Sequence, residues 1–237
     1  MGREAVESFT LGKMVRISAI LLAAGESKRM GTNKLSLPWG RKTMLECCLR
    51  VLLSSQVDKV WVVLNKQTRE LGQRFRGPRV ELVHNPQSKK GMSTSIRKGI
   101  QAMGQKSRAV LIALGDHPLL NANTINALIR AYVEKKGTII VPVFRGKRGH
   151  PVLFDRRYEK ELLRLKKDVG ARALLERHKK EVYEFHSRSE GVVADIDTWG
   201  EYRKRTRSRD RSSFQQQETP GYSSGGMRHR VTGLSRP

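Results

Sequence analysis

Short apolar segments alternate with amphipathic segments over most of this chain. The stretch Ile17–Ala24 is continuously apolar and too short for a membrane helix, so it predicts a buried strand. In Thr43–Ser54 the apolar positions recur every three or four residues, which predicts a helix with one buried face. Because apolar strands that alternate with helices are typical of parallel βαβ units, the pattern predicts a mostly parallel sheet with helices on both faces.

The same periodicities predict the remaining elements. The strands are Lys59–Leu64, Val80–Val83, Ala109–Leu114, Thr138–Phe144, Pro151–Phe154, Val182–Phe185 and Val192–Asp195. The helices are Ser93–Met103 and Asn123–Lys136, which begin with Ser93 and Asn123 as N-caps, then Arg156–Lys166, Ala171–His178 and Trp199–Lys204. Together they predict one three-layer, Rossmann-like α/β domain.

The two ends of the chain differ from this middle part. From Arg207 onward the sequence is rich in Ser, Gly, Gln and Arg without an apolar period, which predicts disorder. We therefore expect an N-terminal extension (residues 1–15), a folded domain (residues 16–206) and a disordered basic tail (residues 207–237). No apolar run reaches the roughly 18 residues of a membrane helix and no signal-peptide pattern is present, so we expect a cytoplasmic protein without a membrane partner.

The chain is strongly basic, with 47 Lys and Arg against 22 Asp and Glu and a net charge of +25. This excess predicts anionic partners, among them nucleotides, phosphorylated cofactors and nucleic acid. The basic residues are spread along the chain without an aromatic-interleaved RNA-binding motif, so we do not expect a nucleic-acid partner. Cys47 and Cys48 are adjacent in a predicted helix and lack metal-ligand spacing, which is typical of small buried side chains.

The most informative segment follows the first predicted strand and reads LLAAGESKRMGTNK, from Leu21 to Lys34. Gly25 can adopt a positive φ, and the successive N–H groups of such a turn can bind an anion. Arg29 and Lys34 would supply cations for phosphate oxygens. The segment is neither a Walker A loop nor a GxGxxG motif. By itself it also fits an ordinary surface turn, since glycine and charge are common there.

Two later motifs also have two interpretations each. Gly91–Ile96, followed by Gly99, lies at a predicted helix start, where it would bind a ribose, a base or a phosphate, or only cap the helix. Asp116 ends a predicted core strand, where it would hold Mg²⁺ or only form a turn.

The segment Leu22–Lys34 resembles the signature L-A-A-G-x-S-x-R-M-G-x-x-K of nucleotidyltransferases with the molybdopterin-nucleotide-transferase fold, and within them the molybdenum cofactor cytidylyltransferase group. The resemblance covers about residues 17–202 and implies a fold of the nucleotide-diphospho-sugar transferase type, with a nucleotidyltransferase domain at residues 16–206. Relatives that transfer GMP usually carry L-A-G-G, whereas Ala24 in this chain favours CTP. Trp199–Tyr202 replaces the P-E-D-Y of the family ending D-I-D-T-P-E-D-Y.

The resemblance implies a role for each matching residue. Arg29, Lys34 and Asp116 would be catalytic, and Asp116 and Asp197 would hold Mg²⁺, although Asp197 would also suit a helix cap. His117 would pack or touch the acceptor. The acceptor-binding residues would be His150, Pro151 and Arg172, the last after Asp168 in a D-x-G-A-R segment. The nucleotide-binding residues would be Leu22, Ala23, Ala24, Gly25, Ser27, Arg29, Met30, Gly31, Lys34, Gly91, Ser93 and Ser95.

The implied reaction transfers NMP, with CMP favoured, from NTP to a phosphorylated acceptor such as molybdopterin, and releases pyrophosphate. One alternative is another acceptor, such as a sugar 1-phosphate or methylerythritol phosphate. A second is a non-catalytic nucleotide-binding accessory factor for a molybdenum hydroxylase. A third, a basic RNA-binding protein, would leave the signature turn without a role. We expect a monomer that contacts a molybdoenzyme or its chaperone.

Overall fold

The structure is a computed structural model that describes residues 15–75, 77–105, 107–166 and 171–215, with side chains up to Arg207. The strands are β1 (Ile17–Ala23), β2 (Pro38–Trp39), β3 (Lys42–Thr43), β4 (Val60–Leu64), β5 (Val80–His84), β6 (Ala109–Leu114), β7 (Ile139–Phe144), β8 (Lys147–Arg148), β9 (Val152–Asp155) and β10 (Val182–His186). The α-helices are α1 (Met44–Leu53), α2 (Arg69–Gln73), α3 (Met92–Met103), α4 (Ala122–Val133), α5 (Glu159–Leu163), α6 (Arg172–Arg177) and α7 (Trp199–Gln215).

Eight strands form one mixed sheet in the order β10-β7-β9-β6-β1-β4-β5, with β8 beside β7. β6, β1, β4 and β5 are parallel, and β10 is parallel to β7, whereas β9 runs antiparallel to both of its neighbours. The predicted mostly parallel α/β fold is therefore confirmed. The carboxyl ends of β6, β1, β4 and β5 meet at one edge, where open α/β sheets bind their ligands.

The core has one layer on each face of the sheet, as the pattern predicted. In β1, Ile17 and Leu21 pack on one face with α1 and α4, while Ile20 and Leu22 pack on the other with α3, α5 and α6. Each such aliphatic side chain contributes about 1.5–3 kcal/mol when it is fully buried. Within the described ranges, no helix is long and apolar enough to cross a membrane.

Several predicted boundaries are wrong. The residues 192–195 do not form a strand: a 3-10 helix, Glu190–Val192, is followed by irregular backbone. Val192 is fully buried, but its carbonyl accepts a hydrogen bond from His150 N in a loop at 2.8 Å. An apolar run predicts that a segment is buried, but it does not predict which other part of the chain packs against it.

The helix starts also differ from the prediction. Gly91, and not Ser93, is the N-cap of α3, and Asn121, and not Asn123, caps α4 by accepting from Thr124 N at 2.9 Å. Each misplaced residue is a good capping type two positions inside the true start. At the other end α7 continues to Gln215, past Arg207, where the disordered tail is predicted to begin. Residues 1–14 and 216–237 lie outside the described residues.

Candidate active site

Polar or small residues follow the four parallel strands where their carboxyl ends meet. Gly25 comes after β1, Asn65 directly after β4, Asn85 directly after β5, and Asp116 after β6. Asn65 Nδ2 donates to the carbonyl of Ala24 at 3.0 Å, which holds the loop after β1 against the loop after β4. Asn85 Nδ2 donates to the hydroxyls of Thr94 and Ser95, both at 2.9 Å, which fixes the start of α3. The two asparagines therefore support the loops without lining the space between them.

The loop from Gly25 to Lys34 has a tightly turned backbone. Ser27 and Gly31 flank a 3-10 turn, Lys28–Met30, and both are left-handed, with φ of 51° and 65°. A left-handed serine is uncommon, since its Cβ crowds the backbone in that region. Its hydroxyl accepts from Lys34 N at 3.2 Å, which closes the loop. The sequence predicted a phosphate-binding turn here, and the structure has a loop that brings Arg29 and Lys34 to the same edge.

The centre of the site is an ammonium group between two carboxylates. Lys34 Nζ donates to Asp116 Oδ2 at 2.7 Å and to Asp197 Oδ1 at 2.6 Å. Arg29 forms a short ion pair with the other oxygen of Asp197. The Lys34 side chain is 11% exposed, whereas that of Arg29 is 69% exposed. Arg29 can therefore leave its partner for a ligand much more readily than Lys34 can.

The charges of this cluster determine the pKa shifts of its members. Burial disfavours the ammonium of Lys34, but the charges and hydrogen bonds of Asp116 and Asp197 outweigh burial and raise the pKa of Lys34. For Asp197, burial acts to raise the pKa, and the hydrogen bonds and charges of Lys34 and Arg29 lower it overall. Asp195 has no cationic partner among the residues that the structure describes, so burial and the two nearby carboxylates raise its pKa. Asp197 and Lys34 are thus both held in their charged forms.

Close backbone contacts bring Asp197 to Asp116 across the fold. Ile196 N donates to Asp116 O at 3.0 Å, so the two acidic segments are directly hydrogen-bonded. A Cβ on Gly191 would lie 2.2 Å from the carbonyl oxygen of Leu119, and one on Gly149 would lie 2.1 Å from Val192 O. Only glycine permits these approaches, so Gly191 lets the Asp197 segment pack against the loop after β6, and Gly149 lets the loop before β9 pack against the same segment.

A cavity of about 410 Å³ lies between these elements. Among the predicted nucleotide, catalytic and metal residues, the structure brings together on its wall Leu22, Ala24, Gly25, Ser27, Arg29, Lys34, Gly91, Ser95, Asp116 and Asp197. Such a volume is within the range of ordinary ligand sites. The main expectation from the sequence, one cleft shared by the glycine-rich loop and Asp116, is therefore found.

Other predicted residues do not line this cavity. Ala23 and Met30 are buried in the core, Gly31 is exposed, and Ser93 is buried in the first turn of α3. The predicted acceptor residues do not line it either: His150 and Pro151 lie before β9, and Arg172 is exposed at the start of α6. Asp168 lies outside the described residues. A binding role for each of these residues stays a prediction.

Sequence analysis missed several residues of the cavity wall. Lys89 comes from the loop after β5 and lies 3.9 Å from Glu26, which also pairs with Lys28 at 3.2 Å. Met92, exposed at the start of α3, forms another part of the wall. The available signal in the sequence was the pair Lys89 and Lys90, immediately before Gly91. This pair lies in a loop after a predicted strand, where ligand-binding residues are common.

Two histidines lie next to the acidic centre. His117 is buried, its Nδ1 is 3.3 Å from Gly191 O, and its ring meets that of His150 edge to face at 5.7 Å. Burial, followed by the effect of His117, lowers the pKa of His150 to about 4, so this ring is neutral at neutral pH. Of the two roles expected for His117, packing is the one seen here.

The two carboxylates fit a divalent cation. Their oxygens converge on the same nitrogen of Lys34, so they can also converge on one metal ion, and Mg²⁺ and Mn²⁺ favour oxygen donors. Among the described residues, no group of three or more His, Cys, Asp or Glu side chains could hold a metal. Two carboxylates are nevertheless typical of Mg²⁺ sites that complete their coordination with substrate phosphates and water.

The sequence matches a known family over all of the cavity wall except Asp197. The family model of the MobA-like NTP transferase domain matches residues 19–182. The chain belongs to this family. It is therefore a nucleotidyltransferase of the NTP transferase superfamily, as the resemblance of its first loop implied.

Two curated relatives are similar to the chain over much of its length. The purine catabolism protein PucB of Bacillus subtilis is 31% identical over 192 residues, which cover 77% of this chain and 92% of PucB. The molybdenum cofactor cytidylyltransferase of Escherichia coli is 29% identical over 141 residues, which cover 59% of this chain and 70% of that protein.

Several solved structures have the same fold. The Rv0371c homologue of Mycobacterium sp. strain JC1 aligns with a TM-score of 0.72 at 25% identity, over 83% of this chain and 98% of that protein. Rv0371c of Mycobacterium tuberculosis in complex with manganese aligns at 0.67 and 24% identity, over 82% of this chain and 100% of that protein. A nucleotidyl transferase of Methanothermobacter aligns with a TM-score of 0.69 at 22% identity, over 83% of this chain and 99% of that protein.

Proposed function

We propose that this protein transfers CMP from CTP to the phosphate of molybdopterin or of the molybdenum cofactor, with release of pyrophosphate. The single observation that supports this best is the cavity in which the glycine-rich loop faces Asp116 and Asp197 across Lys34. Ala24 on the cavity wall favours CTP over GTP. The relative named molybdenum cofactor cytidylyltransferase supports both the nucleotide and the acceptor.

In this proposal the residues of the chain mainly hold and orient charge. Arg29 and Lys34, with the N–H groups of their loop, bind the triphosphate and neutralise the leaving pyrophosphate. Asp116 and Asp197 hold a Mg²⁺ ion, which supplies a positive charge to phosphate oxygens when it is bound. A phosphate acceptor is already ionised at neutral pH, so the protein needs no general base to activate it. His150, Pro151 and Arg172 are proposed to bind the acceptor, and the protein to work as a cytoplasmic monomer that delivers its product to a molybdoenzyme or its chaperone.

A second candidate is a non-catalytic nucleotide-binding accessory factor for a molybdenum hydroxylase. The observation that favours it is the Lys34 ammonium, which occupies both carboxylates that a metal would need. The relative named for purine catabolism, and not for a transferase, also leaves this role open. An accessory factor would bind nucleotide without releasing pyrophosphate, so turnover separates the two candidates.

The test is a panel of nucleotides and acceptors in which pyrophosphate release is measured. CTP, GTP and UTP are each offered with molybdopterin, molybdenum cofactor, a sugar 1-phosphate and methylerythritol phosphate, in the presence of Mg²⁺ or Mn²⁺. We expect the fastest release with CTP and a molybdopterin-type acceptor. A preference for a sugar phosphate or methylerythritol phosphate would keep the transferase and reject the acceptor, whereas binding without release would favour the accessory role.

Asp116→Ala tests the catalytic centre within the same assay. We expect turnover to fall by about 100-fold or more, as for the loss of one strong electrostatic contact to a reacting group. Asp195→Ala is the matched control, because this carboxylate is two residues from Asp197 and does not line the cavity. If both variants keep wild-type turnover, Asp116 is not part of the catalytic centre.

A further inference from the structure

A second cavity lies at the opposite edge of the sheet, where β1, β6 and β7 begin. Its volume is about 790 Å³, and it shares no lining residue with the cavity that holds Lys34 and Asp116. The seven residues of β1 separate the two cavities, a distance of about 23 Å at roughly 3.3 Å per residue. A ligand in this cavity would therefore not touch the nucleotide site.

Three arginines form a row along this edge. Arg108 N donates to Arg16 O at 2.8 Å, and Arg156 N donates to Arg108 O at 2.9 Å, so the three residues are neighbours on adjacent strands or their ends. All three line the cavity, together with Arg157 and Lys135. Like charges at neighbouring positions of a sheet repel each other, so this row costs stability unless anions neutralise it.

Carboxylates of the protein neutralise only part of this charge. Arg156 pairs with Glu159 at 2.6 Å, and Arg157 pairs with Asp155 at 3.3 Å. Arg16, Arg108 and Lys135 form no ion pair with any residue that the structure describes. Three cations of this wall therefore lack a carboxylate within ion-pair distance among the described residues, although Arg108 also interacts with Tyr132, which donates to Asp155.

The acidic residue of the cavity wall is already engaged. Asp155 accepts from Tyr132 Oη at 2.6 Å and from Arg157 N at 2.8 Å, in addition to its ion pair. The remaining polar side chains of the wall are the amide of Gln105, which can donate to an anion, and the hydroxyls of Ser107 and Thr138, which are hydrogen-bonded to Ser18 and Tyr158. The cavity thus offers several cations and an amide donor, and its one carboxylate is already engaged.

The backbone at Lys135 is also unusual. Its φ is 57°, in the left-handed region that glycine favours and that a long side chain seldom adopts. The position follows the end of α4, where glycine is the common residue. A lysine kept in this conformation at the rim of a basic cavity suggests a use for its charge.

We propose that this cavity binds a small ligand with two or more phosphate groups, held by Arg16, Arg108 and Lys135. Guanidinium groups match phosphate oxygens in pairs, and the adjacent Arg16 and Arg108 offer two such groups side by side. The concave wall suits a compact ligand, whereas nucleic acid favours an extended basic surface. The site is independent of the nucleotide cavity and of the reaction proposed there.

The test is calorimetric titration of the full chain with sodium tripolyphosphate at low ionic strength. We expect two sites in the wild-type protein and one in Arg16→Ala/Arg108→Ala, with affinity for the second cavity reduced at least about tenfold. Lys66→Ala/Arg69→Ala is the control, since both residues are exposed, line neither cavity and should leave two sites. A stoichiometry equal in the wild type and the Arg16/Arg108 variant would overturn the proposal.

A second variant protects the test against a folding defect. Lys135→Gly removes one cation at a backbone position that favours glycine, so the fold should be preserved. We expect weaker binding at the second site and unchanged binding at the first, while unchanged binding at both would count against the proposal. A single-stranded oligonucleotide that displaces tripolyphosphate from this site at lower concentration would assign the surface to nucleic acid and reject the small ligand.

Discussion

Replacement of Lys34 by methionine tests whether its ammonium group occupies the place of a metal ion. Methionine keeps the length of the side chain and removes its charge. Asp116 and Asp197 would then face each other without the cation that each contacts at 2.7 and 2.6 Å. We expect the free protein to be less stable, and we expect the variant to bind a divalent cation more tightly than the wild type does.

The loss of stability follows from the two contacts. At an effective dielectric constant of about 20, each contact is worth roughly 6 kcal/mol before desolvation, and the burial of all three groups offsets most of this. Removal of one partner from a fully buried pair costs about 3–5 kcal/mol. The side chains of Asp116 and Asp197 are still 22% and 21% exposed. We therefore expect the free energy of unfolding to fall by about 2 kcal/mol, which lowers the melting midpoint by about 4–8 °C.

The assay is thermal unfolding of the wild type and Lys34→Met, with and without Mg²⁺ or Mn²⁺. In the wild type the ammonium and the metal compete for the same oxygens, so the metal should raise the midpoint only slightly. In the variant the metal should restore much of the lost stability. Lys66→Met is the control for a general effect of losing a lysine, because Lys66 is exposed and lines neither cavity.

The dependence on pH gives a second measurement of the same contacts. The lowered pKa of Asp197 means that its ion pairs stabilise the wild type above the ordinary carboxyl range near pH 4, and that this stability is lost as the pH falls through the lower pKa of the folded state. In Lys34→Met, burial and repulsion should raise the carboxyl pKa values, so protonation becomes favourable. The stability difference should therefore be largest at pH 7, smaller near pH 4 as the carboxylates of the variant become protonated, and smallest below the lowered pKa of Asp197. Equal midpoints at both pH values, with the same response to metal, would refute the proposed competition.

Two further predictions concern residues outside the acidic cluster. Trp199 is 39% exposed and donates its indole N–H to Met30 O at 3.1 Å, in the loop after β1. Trp199→Phe removes this hydrogen bond, so it should raise KM for the nucleotide about three- to tenfold with little change in kcat. An equal loss of kcat would point to a catalytic effect. A Cβ on Gly99 would lie 2.6 Å from Ile20 Cγ2, so Gly99→Ala should lower stability by about 1–3 kcal/mol in thermal unfolding, and less in an Ile20→Ala background; additive losses would contradict the predicted clash.

The signature loop could be predicted because its information is local. The apolar run of β1 and the small and basic residues that follow it are contiguous, and together they determine a buried strand that ends in a turn with cations. The same holds for Thr43, which begins the predicted helix and forms a capping box with Glu46, three residues later. The parallel direction of the central strands also follows from the helices between them, because two parallel strands must be joined by a crossover and a helix usually forms it.

Other features depend on contacts between distant residues. The segment at 192–195 is apolar enough for a strand, but Gly191 fits against the backbone of Leu119 and draws the segment into the loops beside Asp116. Likewise, the amphipathic pattern does not reveal that β9 runs antiparallel, because alternation is the same in either direction.

The sequence by itself determined which residues can bind phosphate and that the first loop follows a buried strand, because each of these properties belongs to a short stretch of chain. Only the tertiary structure decided that Lys34 lies between Asp116 and Asp197, and that Arg16, Arg108 and Arg156 form one row. Both arrangements join residues tens of positions apart, and their charges interact only after the packing of the sheet has brought them within a few ångströms.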